Sequence, residues 1–326
     1  MRCSYFAALL GATMFFASPV VAQPTAKTYH FASLTGGSPF LTDNSNISML
    51  LPALAEHGYR LGENLKYTPY GAEMEFERLP QMARDIAMNK IDAVVAFGYP
   101  SASAMKGTDV PTVVAFGAGD PVATGLVASL ARPGGNITGI SDNAVMLSAK
   151  RLDLLKRAVP HIRNIAVLWN KKDLAMTLRY RASAEAAKDL GIIVQPLGVG
   201  EPDDFADAFT AMDFQPPDGI LMVSDALTVL NRKRVYDYAN AHRLPAIYES
   251  DPFVKDGGLM SYGADRKESL ERTASLIDRI LKGGKPADLP FEEPARYLFV
   301  INLKSAKAIG LEIPAQVVAL ADEVIE

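Results

Sequence analysis

Cysteine is almost missing from this chain: Cys3 is the only one among 326 residues. That excludes an intrachain disulfide framework. Cys3 also precedes the apolar run that a lipid-anchor cysteine would have to follow. Histidine is scarce too. His30, His57, His161 and His242 are scattered, no two at metal-ligand spacing, so no metal site is expected. His242 falls near a helix end, where a surface cation favourably meets the helix dipole. Positive charge is short: 33 Lys and Arg against 37 Asp and Glu give a net charge of −4, with no dense basic run. A nucleic-acid partner, which requires a basic face to neutralise phosphates, is therefore not expected. The single tryptophan, Trp169, ends an apolar run and reads as core or as the wall of a cleft. Three motifs are absent: the G-x-S-x-G elbow of hydrolases, the G-x-x-x-x-G-K-[ST] phosphate loop, and G-x-G-x-x-G in the first strand-to-helix turn, where "TGGSPF" does not fit it. No cofactor is expected.

What is present begins with "MRCSYFAALLGATMFFASPVVAQ". One positive charge, Arg2, precedes an apolar run from Tyr5 to Ala17, and small residues close it at Val20-Val21-Ala22. This is the pattern of a secretory signal over residues 1–22, too short and wrongly flanked for a membrane span. Cleavage after Ala22 leaves a mature chain without cysteine and with a net charge of −5. No later stretch reaches the ~18 uninterrupted apolar residues of a transmembrane helix. A soluble exported protein is expected, periplasmic in a Gram-negative host. With 49% apolar and 21% charged residues the composition is globular, and the length suits two lobes.

Strand and helix periodicities alternate along the chain. "TYHFASL", "NLKYTPY", "IDAVVAF" and "PTVVAF" read as strands, with helices at "NISMLLPALAEHG" and "EFERLPQMARDIAMNK" between them. After the helix "AVMLSAKRLDLLKRAVP" the alternation restarts with strands "NIAVLW", "IIVQPL", "GILMVS" and "PAIYES". Their helices are "LAMTLRYRASAEAAKDLG", "DDFADAFTAM" and "ALTVLNRKRVYDYANAHR". The strand "GGLMSYG", the amphipathic helix "KESLERTASLIDRILKGG", the strand "YLFVIN" and a helix near "LKSAKAIG" close the chain. Such alternation builds α/β lobes, each a doubly wound parallel sheet with helices on both faces. Ligands of open parallel sheets bind beyond the carboxyl ends of the strands. Those ends are "SLTGGSP", "FGYPSAS" and "FGAGDPV" in one lobe and "LWNKKD", "MVSDAL" and "YESDPF" in the other. They offer small groups, hydroxyls and acids, suited to a polar ligand enclosed between lobes.

One stretch, "GDPVATGLVASLARPGGNITGIS" (residues 119–141), carries two readings. Asp120-Pro121 has the form of a helix N-cap followed by Pro at the first helical position, ahead of a short helix "VATGLVASLA". The same helix start, or the Asp120 carboxylate, is alternatively a ligand contact. "RPGGN" is a turn that feeds the strand "ITGIS". A phosphate cradle would set its glycines at a helix N-terminus, so that reading fails here.

This stretch closely resembles the signature of the tryptophan/tyrosine-type ABC transporter substrate-binding proteins. "LPAIYESDPFVKDGGLMSYGAD", "DRILKGGKPADLPFEEP" and "FVINLKSAKAIGLEIPAQVVALADEVIE" extend the resemblance over nearly the whole mature chain, in order. It implies the two-lobed type I periplasmic-binding-protein fold with a three-segment hinge. Lobe 1 would comprise residues 23–141 plus 264–290, and lobe 2 residues 142–263 plus 291–326. The implied function is a solute receptor, with no catalysis, that delivers a small organic ligand, an amino acid or aromatic compound, to an inner-membrane permease. A monomer is expected. In the amino-acid-binding relatives the ligand's charged ends meet loops matching "SLTG", "GYPSAS", "GDPV", "SDN" and "VSDA", which brings in Thr35 and Ser224. The resemblance implies Ser101 and nearby backbone N–H groups for a carboxylate, with the helix after Pro100 offering its N-terminus. It implies Asp225, Asp142 or Asp120 for an ammonium, and Tyr99, Tyr248 and Tyr262 as walls with hydroxyl tips. "SLTGGSPF" and the acidic "YESDPF" depart from the family pattern, which leaves the ligand unnamed.

Two rivals stand beside this reading. The same fold would serve a sensor module that presents its solute to a receptor. An exported α/β enzyme would instead need a nucleophile or acid–base pair in the cleft, and the strand ends supply acids and hydroxyls but no His or Cys partner.

Overall fold

The computed structural model describes residues 27–44, 46–141 and 143–326. The expected signal segment and Asp142 lie outside the described residues. Two sheets account for the strands. The first contains β1 (Tyr29–Thr35), β2 (Leu65–Gly71), β3 (Ala93–Phe97), β4 (Thr112–Phe116) and β5 (Ile137–Gly139), ordered β2-β1-β3-β4-β5 and parallel throughout. Its crossovers carry α1 (Ile47–Glu56), α2 (Leu79–Met88) and α3 (Tyr99–Met105). Side-chain alternation explains why β1 is central. Phe31 enters the core on one face, Ala32 and Leu34 the core on the other, and all three are fully buried.

The second sheet contains β6 (Asn164–Asn170), β7 (Ile193–Val199), β8 (Gly219–Met222), β9 (Ala246–Tyr248), β10 (Met260–Ala264), β11 (Tyr297–Asn302) and β12 (Glu323–Ile325), ordered β12-β11-β10-β9-β8-β6-β7. Around it lie α4 (Ala144–Ala158), α5 (Leu174–Asp189), α6 (Asp204–Phe214), α7 (Ala226–Leu230), α8 (Arg232–Ala241) and α9 (Asp251–Lys255). The next helix, α10 (Arg266–Leu281), does not stay with this sheet. It packs on α1, β3 and β4 of the first, burying Leu270, Ala274, Ile277 and Leu281. The chain then returns through residues 291–296 to β11, followed by α11 (Leu303–Ala308) and α12 (Ala315–Val318). Three short stretches of chain therefore connect the two lobes: one between β5 and α4, one between β10 and α10, and residues 291–296 before β11.

The structure departs from the sequence expectations in three places. The helix expected after Asp120 does not form; residues 121–125 make turns only. Asp120 Oδ1 does accept from the N–H groups of Val122 and Ala123 at 2.9 and 3.0 Å, as a cap would. Gly125 then enters the left-handed region (φ +70°) and stops the helix at its first turn. The helix expected over residues 226–243 breaks at Asn231, whose backbone N–H and side-chain amide both donate to the Leu227 carbonyl, at 3.2 and 3.0 Å, while its own carbonyl accepts from Arg234 three residues on at 3.0 Å, the tighter pattern of a turn. Finally, β11 runs antiparallel to β10. The chain leaves β10 at the end facing the first lobe and re-enters from that same side, so the returning strand must run the opposite way.

Candidate functional site

The carboxyl ends of β1, β3 and β4 face those of β6, β8, β9 and β10 across a cleft of about 720 Å³. This is where open parallel sheets place ligands, and the size suits a small organic molecule. Each of these strands contributes through its last residues or those just beyond them.

The first lobe supplies an apolar wall. Phe97 ends β3 and Phe116 ends β4, with ring centroids 5.1 Å apart, edge to face; Phe40 from the loop after β1 meets Phe97 at 4.8 Å in the same manner. Thr35, Gly36 and Gly37 bring backbone to the same surface. Arg266, at the start of α10, extends its guanidinium 5.9 Å over the Phe116 ring and donates to Asn46 Oδ1. Burial pushes the Arg266 pKa below the ordinary guanidinium range.

The second lobe supplies a charged floor. Glu249, immediately after β9, is buried between two buried arginines. Arg151 of α4 donates to Oε1 at 2.9 Å, and Arg179 of α5 to Oε2 at 2.8 Å. The Ser224 N–H adds a third donor to Oε2 at 2.9 Å. Arg151 Nε also reaches the Tyr262 carbonyl at 2.7 Å, which ties the floor to β10. Beside this clamp, Asp173 caps α5 by accepting from the Ala175 and Met176 N–H groups. Asp225 caps α7, accepting from Thr228 N at 2.9 Å and from Asn170 Nδ2 at 2.6 Å. Burial, reinforced by the neighbouring Asp225 charge, pushes the Asp173 carboxyl up to about 7. Burial also raises Asp225, partly offset by its Thr228 and Asn170 donors.

Of the residues named from the sequence, Thr35, Ser224 and Asp225 line the cleft. Asp142 lies outside the described residues. Ser101 is fully buried on α3 and does not line the cleft; its helix is seven residues long. Asp120 is exposed, its carboxylate committed to its own turn. Tyr248 fills the core behind β9, stacked on Phe253 at 5.4 Å, so it is packing and not wall. Tyr262 packs on Phe299, and Tyr99 reaches from the first lobe to pack against the second lobe's core; neither lines the cleft. Trp169 stacks on Tyr180 at 3.8 Å, away from the cleft. Sequence reasoning did not single out Phe40, Phe97, Phe116, Arg151, Arg179, Asp173, Glu249 or Arg266. Phe97, Phe116 and Glu249 do sit at or next to quoted strand ends, and that position was the available signal. Arg151 and Arg179 project from helix interiors and Arg266 from the first position of α10, where nothing in the sequence separates them from surface arginines.

Among the described residues no histidine or cysteine lines the cleft. Nor are three or more His, Cys, Asp or Glu side chains gathered closely enough to hold a metal ion. The arrangement can enclose a small molecule with an apolar part and polar ends.

A family model described as ABC transporter substrate binding protein matches residues 44–325. A tyrosine-binding protein of Clostridioides difficile is 26% identical over 264 residues, covering 80% of this chain and 75% of that protein. Two solved structures are similar over more of the fold. A conserved domain protein from Vibrio cholerae is 25% identical, covers 91% of this chain and 100% of its own, and superposes with a TM-score of 0.83. An ABC domain from Streptococcus pneumonia, in complex with L-Trp, is 26% identical, covers 92% and 100%, and gives 0.81.

Proposed function

The chain belongs to the ABC transporter substrate-binding proteins, and from that premise we propose that it is the exported receptor of an importer for an amino acid with an aromatic side chain. The observation that carries this reading is the two-sided cleft, with phenylalanines on one wall and buried, hydrogen-bonded charge on the other. A ring placed on Phe40, Phe97 and Phe116 leaves the ammonium and carboxylate of a zwitterion facing Thr35, Ser224 and Asp225. The relatives that bind tyrosine or L-Trp favour the same ligand class. Residues 1–22 direct export, and the mature chain works in the periplasm. Residues 23–141 plus 264–290 form one closing lobe, and residues 142–263 plus 291–326 the other. Closure about the three connecting segments shifts an open–closed equilibrium that a membrane permease reads, with no chemical step.

The test is a thermal-unfolding screen of the mature chain against tryptophan, tyrosine, phenylalanine, aliphatic amino acids and sugars. An aromatic amino acid at 100 times its Kd stabilises by about 2.7 kcal/mol. No shift with any amino acid, together with a shift or turnover in another solute class, would overturn the reading.

A further inference from the structure

Glu73 (φ +52°) and Met74 (φ +68°) are consecutive non-glycine residues in the left-handed region, the only adjacent pair among the described residues. That conformation is unfavourable for both side chains and persists only where surrounding structure over-determines it. Here it is over-determined. Glu73 N–H donates to the Gly37 carbonyl at 3.0 Å, Met74 N–H to Gly36 at 2.9 Å, and Glu75 N–H to Ala72 at 2.8 Å. Ser38 Oγ donates to Glu73 Oε2 at 2.7 Å. Gly71 lets the two loops lie together, since a Cβ there would meet the Gly37 carbonyl oxygen at 2.6 Å. All these restraints come from the first lobe, so they hold the turn whether or not the lobes touch.

What the turn presents is the Met74 side chain. It lines the cleft with Val229 and Leu230 of α7 opposite. It also packs against the second lobe's core cluster of Phe205, Leu227 and Phe253, and is the single first-lobe member of that cluster among the described residues. We propose that Met74 couples occupancy to closure, serving as ligand-facing wall and as the plug that seats on the second lobe when the cleft shuts. The preformed turn lowers the ordering cost of that docking, and a thioether side chain adapts to an irregular seat. Separation of the lobes exposes Met74 and uncovers its seat. The proposal rests on the reading of the cleft as a ligand site that closes.

Because Cys3 is the only cysteine, the mature chain accepts labels at Met88→Cys and Phe214→Cys, exposed positions on opposite lobes. The distance distribution between them is measured for the parent, Met74→Ala and Met74→Gly, without ligand and with L-tryptophan, alongside affinity and thermal unfolding. Both variants should lose closed population and bind L-tryptophan about tenfold more weakly. Met74→Gly should nonetheless unfold at a higher temperature than Met74→Ala, because glycine accepts the left-handed backbone. A purely structural role would move closure and stability together. Distances and affinity for Met74→Ala within twofold of the parent would overturn the proposal. If the parent binds none of tryptophan, tyrosine and phenylalanine, the aromatic-ligand reading fails, and the ligand-free distances still decide the role of Met74.

Discussion

The two walls of the cleft are built on opposite principles. The first lobe presents rings and bare backbone: Phe40, Phe97 and Phe116 around the Thr35–Gly37 loop, with Arg266 laid across a ring. The second presents charge already engaged by the protein: Glu249 between two arginines, and Asp173 and Asp225 spent on helix caps. An apolar wall selects by shape and area, and its members are replaceable at moderate cost. A buried charge network is fixed in geometry and tolerates no missing partner. The contrast assigns ligand discrimination to the first lobe and orientation of polar groups, with lobe integrity, to the second.

The largest expected effect breaks the second wall. Glu249→Gln removes the negative charge between Arg151 and Arg179, both 2% exposed, and leaves two buried guanidinium groups without it. Loss of one member of such a network costs on the order of 3–5 kcal/mol. Urea unfolding of the ligand-free protein measures this directly. A loss below about 1 kcal/mol would place the clamp with solvent-screened surface pairs and remove the proposed division between the walls.

A smaller and more selective effect is expected on the first wall. Phe116→Ala deletes the ring that pairs with Phe97 and carries Arg266. The ring is only partly buried, so stability should fall by about 1–2 kcal/mol, below the range for a core Phe→Ala change. Affinity for an aromatic amino acid should fall about tenfold while that for an aliphatic one changes little. Equal losses for both classes, read by calorimetric titration, would mean that the wall fills space without selecting rings.

The two walls also differ in how much of them the sequence exposes. Strand ends are legible from period-2 runs followed by glycine and polar clusters, and at two of those ends, "SLTG" and "VSDA", the resemblance to the family implies Thr35, Ser224 and Asp225. The rings lie at the boundary of those same runs. There an apolar residue reads equally as the last core position, and Phe97 in fact serves in both the core cluster and the cleft. The charge clamp is hidden for another reason. Arg151 and Arg179 sit inside helices whose sequences are rich in surface arginine and lysine, and only the packing of α4 over β9 and β10, and of α5 against α4 and over β6 and β7, shows which ones turn inward. Asp120 fails the other way: its local sequence is a good cap, the cap bonds form, and Gly125 still ends the helix after one turn. Tyr248 was named for its chemistry, but a tyrosine at the end of a three-residue buried strand is held by core packing.

The smallest effect sharpens the comparison through pH. Asp173 is buried beneath the cleft with Asp225 and Arg179 as its charged neighbours, and burial followed by the Asp225 charge pushes its carboxyl up to about 7. In the unfolded chain an aspartate titrates near ~3.9. Between these values the folded state holds a proton that the unfolded state has released. Stability from this group is therefore complete below pH ~4, declines as pH rises through the window, and is lost above about 7. Asn caps a helix as well as Asp and does not titrate in this range. Asp173→Asn should therefore flatten the fall in stability between pH 4 and 7 and leave the protein more stable at pH 8. Asp204, on the outer surface of the same lobe, provides the opposite sign. Its hydrogen bond from Lys171 lowers its pKa, so its contribution is present at neutral pH and is lost on acidification. That pair is exposed, and salt should weaken it. Unfolding curves at two ionic strengths separate the two groups: the Asp173 slope should survive added salt, and the Asp204 slope should not. A slope between pH 4 and 7 unchanged by Asp173→Asn would mean that the carboxyl titrates as if in water, and the charged floor would then be wetter than its geometry implies.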